Sequence, residues 1–253
     1  MLSLYLLRHG ETDFSHQGRF CGRIDAALTG EGREMAVRFA DAYGDMSWQA
    51  IVTSTRRRAI ETATPVAARA GLDIRRDPRL DEMYYGEWQG LSKSEAAASD
   101  EEYFARWLED PTIGPPLGES PHEVSARAID AIDDLCARYP SGNVLVVSHK
   151  ALLRILVCRL FGRDLRNYRQ EPNWQVGALT RIDVEAGEPA LRLYADVSHL
   201  EPGFDGPLDI DRDALGPLAP SERRAVKPAA DRAAARAARS APAAATGANR
   251  AAG

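Results

Sequence analysis

Cysteine is scarce in this chain, and its placement excludes more than it suggests. Cys21, Cys136 and Cys158 are three among 253 residues. Their number is odd and they lack CxxC spacing, so neither a disulfide framework nor a cysteine-based zinc site is expected, and a reducing cytoplasm suits them. Uninterrupted apolar runs are also missing. The longest stretch, Val144 to Phe161, is broken by His149, Lys150, Arg154 and Arg159 and reads as protein core, not as a membrane span. No basic segment precedes the first apolar run, which argues against a secretory leader. Of the five histidines, His16, His122 and His199 show no metal-ligand spacing and are expected at the surface or in structural roles. Excess positive charge is absent as well, the formal net charge being −5. From Ala219 onward there are seven Lys/Arg against two Asp/Glu, which leaves −10 on the first 218 residues. An acidic body argues against a nucleic-acid binder, and it requires any anionic substrate to find a local positive pocket.

The chain is 44% apolar, enough for one large core. Leu2–Leu7, Ala50–Thr53, a short stretch at Ile74-Arg75 leading to Leu80, and Asn143–Ser148 read as buried strands. Helical patterns lie between them. Thr29 caps a predicted helix to about Tyr43, and Arg56 to Ala70 reads as another, with a kink expected at Pro65. Ser92-Lys93-Ser94-Glu95 and Ser120-Pro121-His122-Glu123 are capping boxes, the second opening a helix to about Tyr139. Ala151 to Phe161 reads as a short apolar helix, and Val176–Val184 with Ala190–Val197 as a terminal hairpin. Alternating strands and helices predict an α/β fold, a three-layer sandwich with a mainly parallel sheet covered by helices on both faces. One domain is expected over residues 1–200, then an extended segment over 201–218. Residues 219–253, rich in Ala, Arg and Pro and without an apolar stripe, are expected to form a disordered tail.

The most informative string is Arg8-His9-Gly10-Glu11-Thr12, directly after the first strand. In open α/β sheets ligands bind beyond the carboxyl ends of the strands, and Gly10 is expected to permit a sharp turn there. A neutral imidazole is a nucleophile near neutral pH, and an adjoining guanidinium can hold a phosphate through two hydrogen bonds. Ser148-His149-Lys150 follows another strand, so His149 is expected at a helix N-terminus, where free N–H groups favour an anion. Arg56-Arg57-Arg58 opens a helix, normally a poor position for cations, so one of the three is expected to turn inward to an anion while the others stay solvated. Leu80-Asp81-Glu82-Met83-Tyr84-Tyr85-Gly86-Glu87-Trp88 places acids and aromatics together after a short strand.

These pieces, in this order, resemble the histidine phosphatase superfamily, also called the phosphoglycerate mutase-like family. The resemblance runs over about residues 2–200. It also takes in Gly18-Arg19-Phe20-Cys21-Gly22, Thr62-Ala63, Gly118-Glu119-Ser120 and Ser198-His199-Leu200. It implies transfer through a phosphohistidine on His9. Arg8, Arg58 and His149 would surround the phosphoryl group, and Glu82 would protonate the leaving alkoxide and then deprotonate water. The implied substrate contacts are Arg8, Ser15, Cys21, Gly22, Arg58, Tyr85 and His149. No metal or other cofactor is expected, because the guanidinium and imidazolium groups would supply the charge.

The chain departs from the family in three places. Ser15 stands where Asn is common and could still donate one hydrogen bond to a phosphoryl oxygen. Lys150 replaces a common Gly, adding charge beside the pocket or pointing to solvent. Cys21 falls where a polar residue is frequent. The interval from Glu82 to His149 is compact and holds only Arg106, Arg127 and Arg138 as arginines. Mutases of the family resemble one another in a long, Arg-rich insertion there, so the resemblance favours a phosphatase over a mutase, the alternative; an inactive interaction module on the same fold is disfavoured because every catalytic residue the resemblance implies is present. The expected partner is a small phosphorylated metabolite, not a membrane or nucleic acid; a homo-oligomer is compatible with the sequence. Tyr84, Tyr85, Trp88, Tyr103 and Trp107, with Arg106, either cover the site or pack a small subdomain.

Overall fold

The computed structural model describes residues 1–202. The expectations for the segment after Pro202 and for the tail at 219–253 lie outside the described residues. Six strands form one sheet: β1 (Leu2–Arg8), β2 (Trp48–Thr53), β3 (Ile74–Arg76), β4 (Gly142–Ser148), β5 (Leu179–Glu185) and β6 (Glu188–Asp196). Their order across the sheet is β3-β2-β4-β1-β5-β6, with the first four parallel and β5 and β6 antiparallel.

Seven helices accompany them in the described residues: α1 (Asp13–His16), α2 (Gly30–Tyr43), α3 (Arg57–Ala70), α4 (Lys93–Ser99), α5 (Glu101–Glu109), α6 (Pro121–Arg138) and α7 (Lys150–Leu160). Strand alternation sorts the core into two layers. Leu2, Leu4, Leu6, Val144 and Val146 pack with α6 and α7 on one face. Tyr5, Leu7, Leu145 and Val147 pack with α2 and α3 on the other. The sandwich expected from sequence is therefore present, with its sheet mainly parallel.

Several local expectations change. β2 begins at Trp48, with a register irregularity before Ala50. The helix α3 spans Arg57–Ala70 with Pro65 inside it, as expected. The hairpin strands start three residues later and two residues earlier than expected, because the segment before β5 has other hydrogen bonds to make. Arg8 N–H donates to Ala178 O at 2.9 Å, and Gly177 N–H donates to His9 O at 3.2 Å. Gly10 is needed for close approach, not for a positive φ. A Cβ there would meet the Gly32 carbonyl oxygen at 2.5 Å, and one on Gly32 would meet the Glu11 carbonyl oxygen at 2.2 Å. The start of α2 can thus lie against the loop that carries His9.

Candidate active site

The site forms where β1, β4 and β2 end side by side. Arg8 is in register with Ser148, and Val147 with Thr53. His9 N–H continues the ladder to Ser148 O at 3.0 Å, as Ser54 N–H does to Val147 O at 3.0 Å. The helices that follow β1 and β4 leave on opposite faces, which opens a crevice between the two strand ends. A cavity of about 610 Å³ lies there, lined among others by Arg8, His9, Ser15, Cys21, Gly22, Arg58, Glu82 and Tyr85.

His9 is 5% exposed. Its Nδ1 lies 2.7 Å from the Gly10 carbonyl oxygen. A carbonyl only accepts, so the proton sits on Nδ1 and Nε2 keeps its lone pair. Burial, with the neighbouring Arg58 and Arg8 charges, holds the imidazole well below its usual pKa and outweighs the opposing Gly10 hydrogen bond. His9 is therefore neutral near pH 7. Arg8 donates from Nη1 to Trp174 O at 2.5 Å, and its buried Nε has no protein partner. Burial pushes its pKa down to about 10, assisted by Arg154 and Arg58 and opposed by Glu82.

Arg58 is the arginine of the triplet that turns inward, and it is fully buried. It donates to Gly22 O and Ile24 O, both at 2.9 Å, and from Nε to His149 Nδ1 at 3.2 Å. Arg57 pairs with Glu61 at the surface. Arg56 departs from the expectation of simple solvation, since it is paired with the buried Asp81 carboxylate at 2.6 Å. Asp81 also accepts from Thr55 N–H at 2.7 Å.

His149 is also fully buried, its ring centroid 5.2 Å from that of His9. Because Nδ1 accepts from Arg58, its proton is on Nε2, which donates to Ser54 Oγ at 2.6 Å. Burial and the Arg58 charge hold it neutral. The ring stands behind Arg58 and outside the lining of the cavity. Nor is the N-terminus of α7 left free for a ligand anion, as the sequence suggested. The Glu82 carboxylate occupies it, accepting from Leu152 N–H at 3.1 Å, Ala151 N–H at 3.3 Å and Met83 N–H at 2.9 Å.

Of the other expected contacts, Ser15 lines the cavity but spends its hydroxyl proton on Thr12 O at 2.9 Å, while its oxygen accepts from Thr12 N–H at 2.8 Å. The capping box of α1 thus takes the proton that was expected for a phosphoryl oxygen. The Cys21 thiol donates to Ile24 O at 3.4 Å, and burial raises its pKa. Gly22 has a φ of +52° and offers its carbonyl to Arg58. Tyr85 packs on Phe20 with ring centroids 4.8 Å apart, and burial raises its hydroxyl pKa. The aromatic residues do both things considered from sequence. Trp88 centres a small cluster with Phe104 and Trp107, while Tyr85 and Trp107 also line the cavity.

Sequence reasoning missed the groups that hold the loop of Glu82. Arg127, on α6, donates to the carbonyls of Arg79, Asp81 and Glu82 at 2.8, 2.6 and 3.2 Å. It also pairs with Glu119 at 2.9 Å, and Glu119 accepts from Tyr84 N–H at 2.8 Å. The cations on the outer wall, Lys93, Arg154 and Arg169, were missed too. Lys150 joins them, donating to Asn173 Oδ1 at 2.8 Å. The one signal in the sequence was spacing, because Lys150 and Arg154 interrupt an apolar helix four residues apart and so share a face. Among the described residues, no group of three or more His, Cys, Asp or Glu side chains is disposed to hold a metal, and no helix is long and apolar enough to cross a membrane.

A buried neutral histidine thus stands beside two arginines at the ends of parallel strands. The chain belongs to the histidine phosphatase superfamily (branch 1), whose family model matches residues 4–197. A glucosyl-3-phosphoglycerate phosphatase of Mycobacterium tuberculosis is 35% identical over 173 residues, 65% of this chain and 78% of the relative. Phosphoserine phosphatase 1 of Hydrogenobacter thermophilus is 30% identical over 169 residues, 66% of this chain and 80% of the relative. Among solved structures, YhfR of Bacillus stearothermophilus superimposes with a TM-score of 0.75 at 32% identity, over 79% of this chain and 100% of that one. The chain is an enzyme of the phosphoric monoester hydrolase class.

Proposed function

We propose that the chain hydrolyses the phosphomonoester of a small metabolite in two steps through a phosphohistidine on His9. The observation that carries this reading is the Nδ1–H···O=C bond from His9 to Gly10, which leaves an unprotonated Nε2 on the cavity wall. In the first step the Nε2 lone pair bonds to phosphorus and the ester P–O bond breaks. The leaving alkoxide takes a proton from Glu82, which enters the step as the carboxylic acid and leaves it as the carboxylate that caps α7. In the second step water attacks phosphorus and gives its proton to Glu82. The P–N bond breaks, its electron pair returns to Nε2, and alcohol and inorganic phosphate are released.

Arg8 and Arg58 stabilise charge on the equatorial oxygens, preorganised by the carbonyls of Trp174, Gly22 and Ile24. His149 acts as a positioning residue. By accepting from Arg58 Nε it fixes the plane of that guanidinium. Cys21, Gly22, Ser15 and Tyr85 shape the entrance. Hydrolysis is favoured over transfer to a second substrate because the arginines between Glu82 and His149 do not line the cavity. Arg127 holds a loop and Arg106 lies over the Tyr103 ring. The relatives named for glucosyl-3-phosphoglycerate and phosphoserine support a small phosphorylated metabolite as substrate.

The test is rapid quenching with ³²P-labelled ester. Acid-labile phosphate is expected on His9 in the active protein, and none, with no turnover, in His9→Ala. Steady turnover with no phosphate on any histidine overturns the covalent route.

A further inference from the structure

The cavity carries more positive charge than one phosphate group requires. Arg8 and Arg58 stand at His9, and Lys93, Lys150, Arg154 and Arg169 line the rest of the same cavity together with Arg19, which is paired with Glu95. Among the described residues, none of the first six forms an ion pair with a carboxylate. Partly buried arginines elsewhere in the chain behave differently. Arg56, Arg79, Arg127, Arg163, Arg181 and Arg192 each have an aspartate or glutamate within salt-bridge distance. Leaving a partly buried cation unmatched is costly, so the contrast singles out this wall.

The contacts of the outer four cations hold some of them in place without neutralising any. Lys150 donates to the Asn173 amide oxygen at 2.8 Å. Arg154 donates to the carbonyls of Glu171 and Pro172 at 2.9 and 2.8 Å. Arg169 donates to Trp107 O at 2.5 Å and to the Tyr168 hydroxyl at 3.1 Å, with its guanidinium 3.6 Å from the Trp107 ring centroid. Lys93 opens α4 and is exposed. The acidic side chain among the described lining residues is Glu82, which is occupied by the amides of α7. Burial and the charges of Arg8, Arg154 and Lys93 push the Lys150 ammonium down to about 8, the mark of a site short of negative charge. A phosphomonoester dianion matches Arg8 and Arg58 and leaves the other four unanswered.

We infer that the alcohol part of the substrate carries a second anionic group, a carboxylate or a further phosphate, which is bound by Lys150 on the wall that Arg154, Arg169, Lys93 and Asn173 complete. Lys150 and Arg154 present it from one face of α7, and Arg169 and Asn173 from the loop that follows that helix. The inference rests on the phosphomonoesterase reading above and narrows its substrate class.

Matched esters test it on the full chain. 3-Phosphoglycerate and sn-glycerol 3-phosphate differ by a carboxylate in place of a hydroxymethyl group, and glucose 1,6-bisphosphate and glucose 6-phosphate by a second phosphate. The more anionic member of at least one pair is expected to have a kcat/KM fivefold or more above its partner, and the pair that shows it identifies the second group. Lys150→Met is expected to shrink that ratio at least threefold, mainly through KM, and Lys150→Arg to retain it. Ratios below fivefold in both pairs, or a Lys150→Met effect equal on both members of the favoured pair, overturn the inference while leaving the hydrolase reading intact. Absence of turnover with every ester, together with no phosphate on His9, overturns both.

Discussion

Arg127 donates from Nη1 to the carbonyl oxygen of Asp81 at 2.6 Å, so a guanidinium on α6 grips the backbone immediately before Glu82. Further bonds to the carbonyls of Arg79 and Glu82, and the pair with Glu119, make this a clamp on the whole acid-bearing loop. Arg127→Met removes every donor while keeping much of the stem. It leaves partly buried carbonyls without partners, at about 1–3 kcal/mol each where water cannot replace the guanidinium. Expected outcomes are a clear drop in urea stability and a kcat on an alkyl phosphate lowered tenfold or more, with KM little changed. The phosphohistidine burst from p-nitrophenyl phosphate, whose leaving group needs no proton, should fall less. Equal losses on both substrates identify the clamp as general scaffolding instead of a device that places Glu82.

That clamp was not legible in the sequence, and the reason is physical. Arg8-His9 could be read because a local apolar run ends there, and Arg58 because a cation in a first helical turn conflicts with the helix dipole. Both signals are contained within a few residues. Arg127 is an ordinary polar position in an amphipathic helix, and the carbonyls it grips lie more than forty residues away across a loop. The Trp174 carbonyl that holds Arg8 is further still, because a backbone acceptor has no sequence signature at all. Glu82 stood out as one acid among three, Asp81, Glu82 and Glu87. Apart from the family resemblance, the fold separates them, sending Asp81 to Thr55 and Arg56 and Glu82 to the start of α7.

Three histidines are held neutral by burial, which gives stability a defined acid dependence. His9, His149 and His199 all have lowered pKa values, His199 at about 4. An unfolded chain takes up these protons near the ordinary value of 6.5, so below that pH it binds more protons than the folded state does. Stability is therefore unaffected by these groups above pH 6.5 and declines as pH falls below it. Each contributes up to about 1.4 kcal/mol per pH unit. Urea unfolding at pH 7.5, 6.5, 5.5 and 4.5 should show that decline. His199 stacks edge-on against Phe39 and Tyr43 away from the cavity, so His199→Phe isolates one of the three. The slope below pH 6.5 should flatten by up to one proton, and an unaltered slope rules out the assignment for His199.

Positive charge around His9 comes from Arg8 and Arg58, each fixed by backbone carbonyls. Hydrolysis should consequently survive chelation. After dialysis against EDTA the rate on a phosphomonoester is expected to stay within twofold of the untreated protein, and added magnesium or zinc should not raise it. Loss on dialysis with recovery on returning a divalent metal overturns the proposed source of charge stabilisation.

Glu82 is expected to show its two roles separately. Its carboxylate caps α7 through Leu152 and Ala151, and as a proton donor it serves the leaving group. Glu82→Gln keeps an acceptor oxygen for the helix but removes the negative charge from its N-terminus, which costs on the order of 1 kcal/mol. It also removes the transferable proton. Loss of one general acid typically slows a step by about 10²–10⁴-fold when the leaving group needs that proton. A glycerol or sugar alkoxide does; p-nitrophenolate leaves as the anion. The burst of phosphohistidine should fall steeply for an alkyl phosphate and only modestly for p-nitrophenyl phosphate. Steady turnover is the poorer readout, because attack of water on phosphohistidine also loses its base. Equal suppression of both bursts, or the selective effect appearing in Glu87→Gln instead, assigns the acid elsewhere.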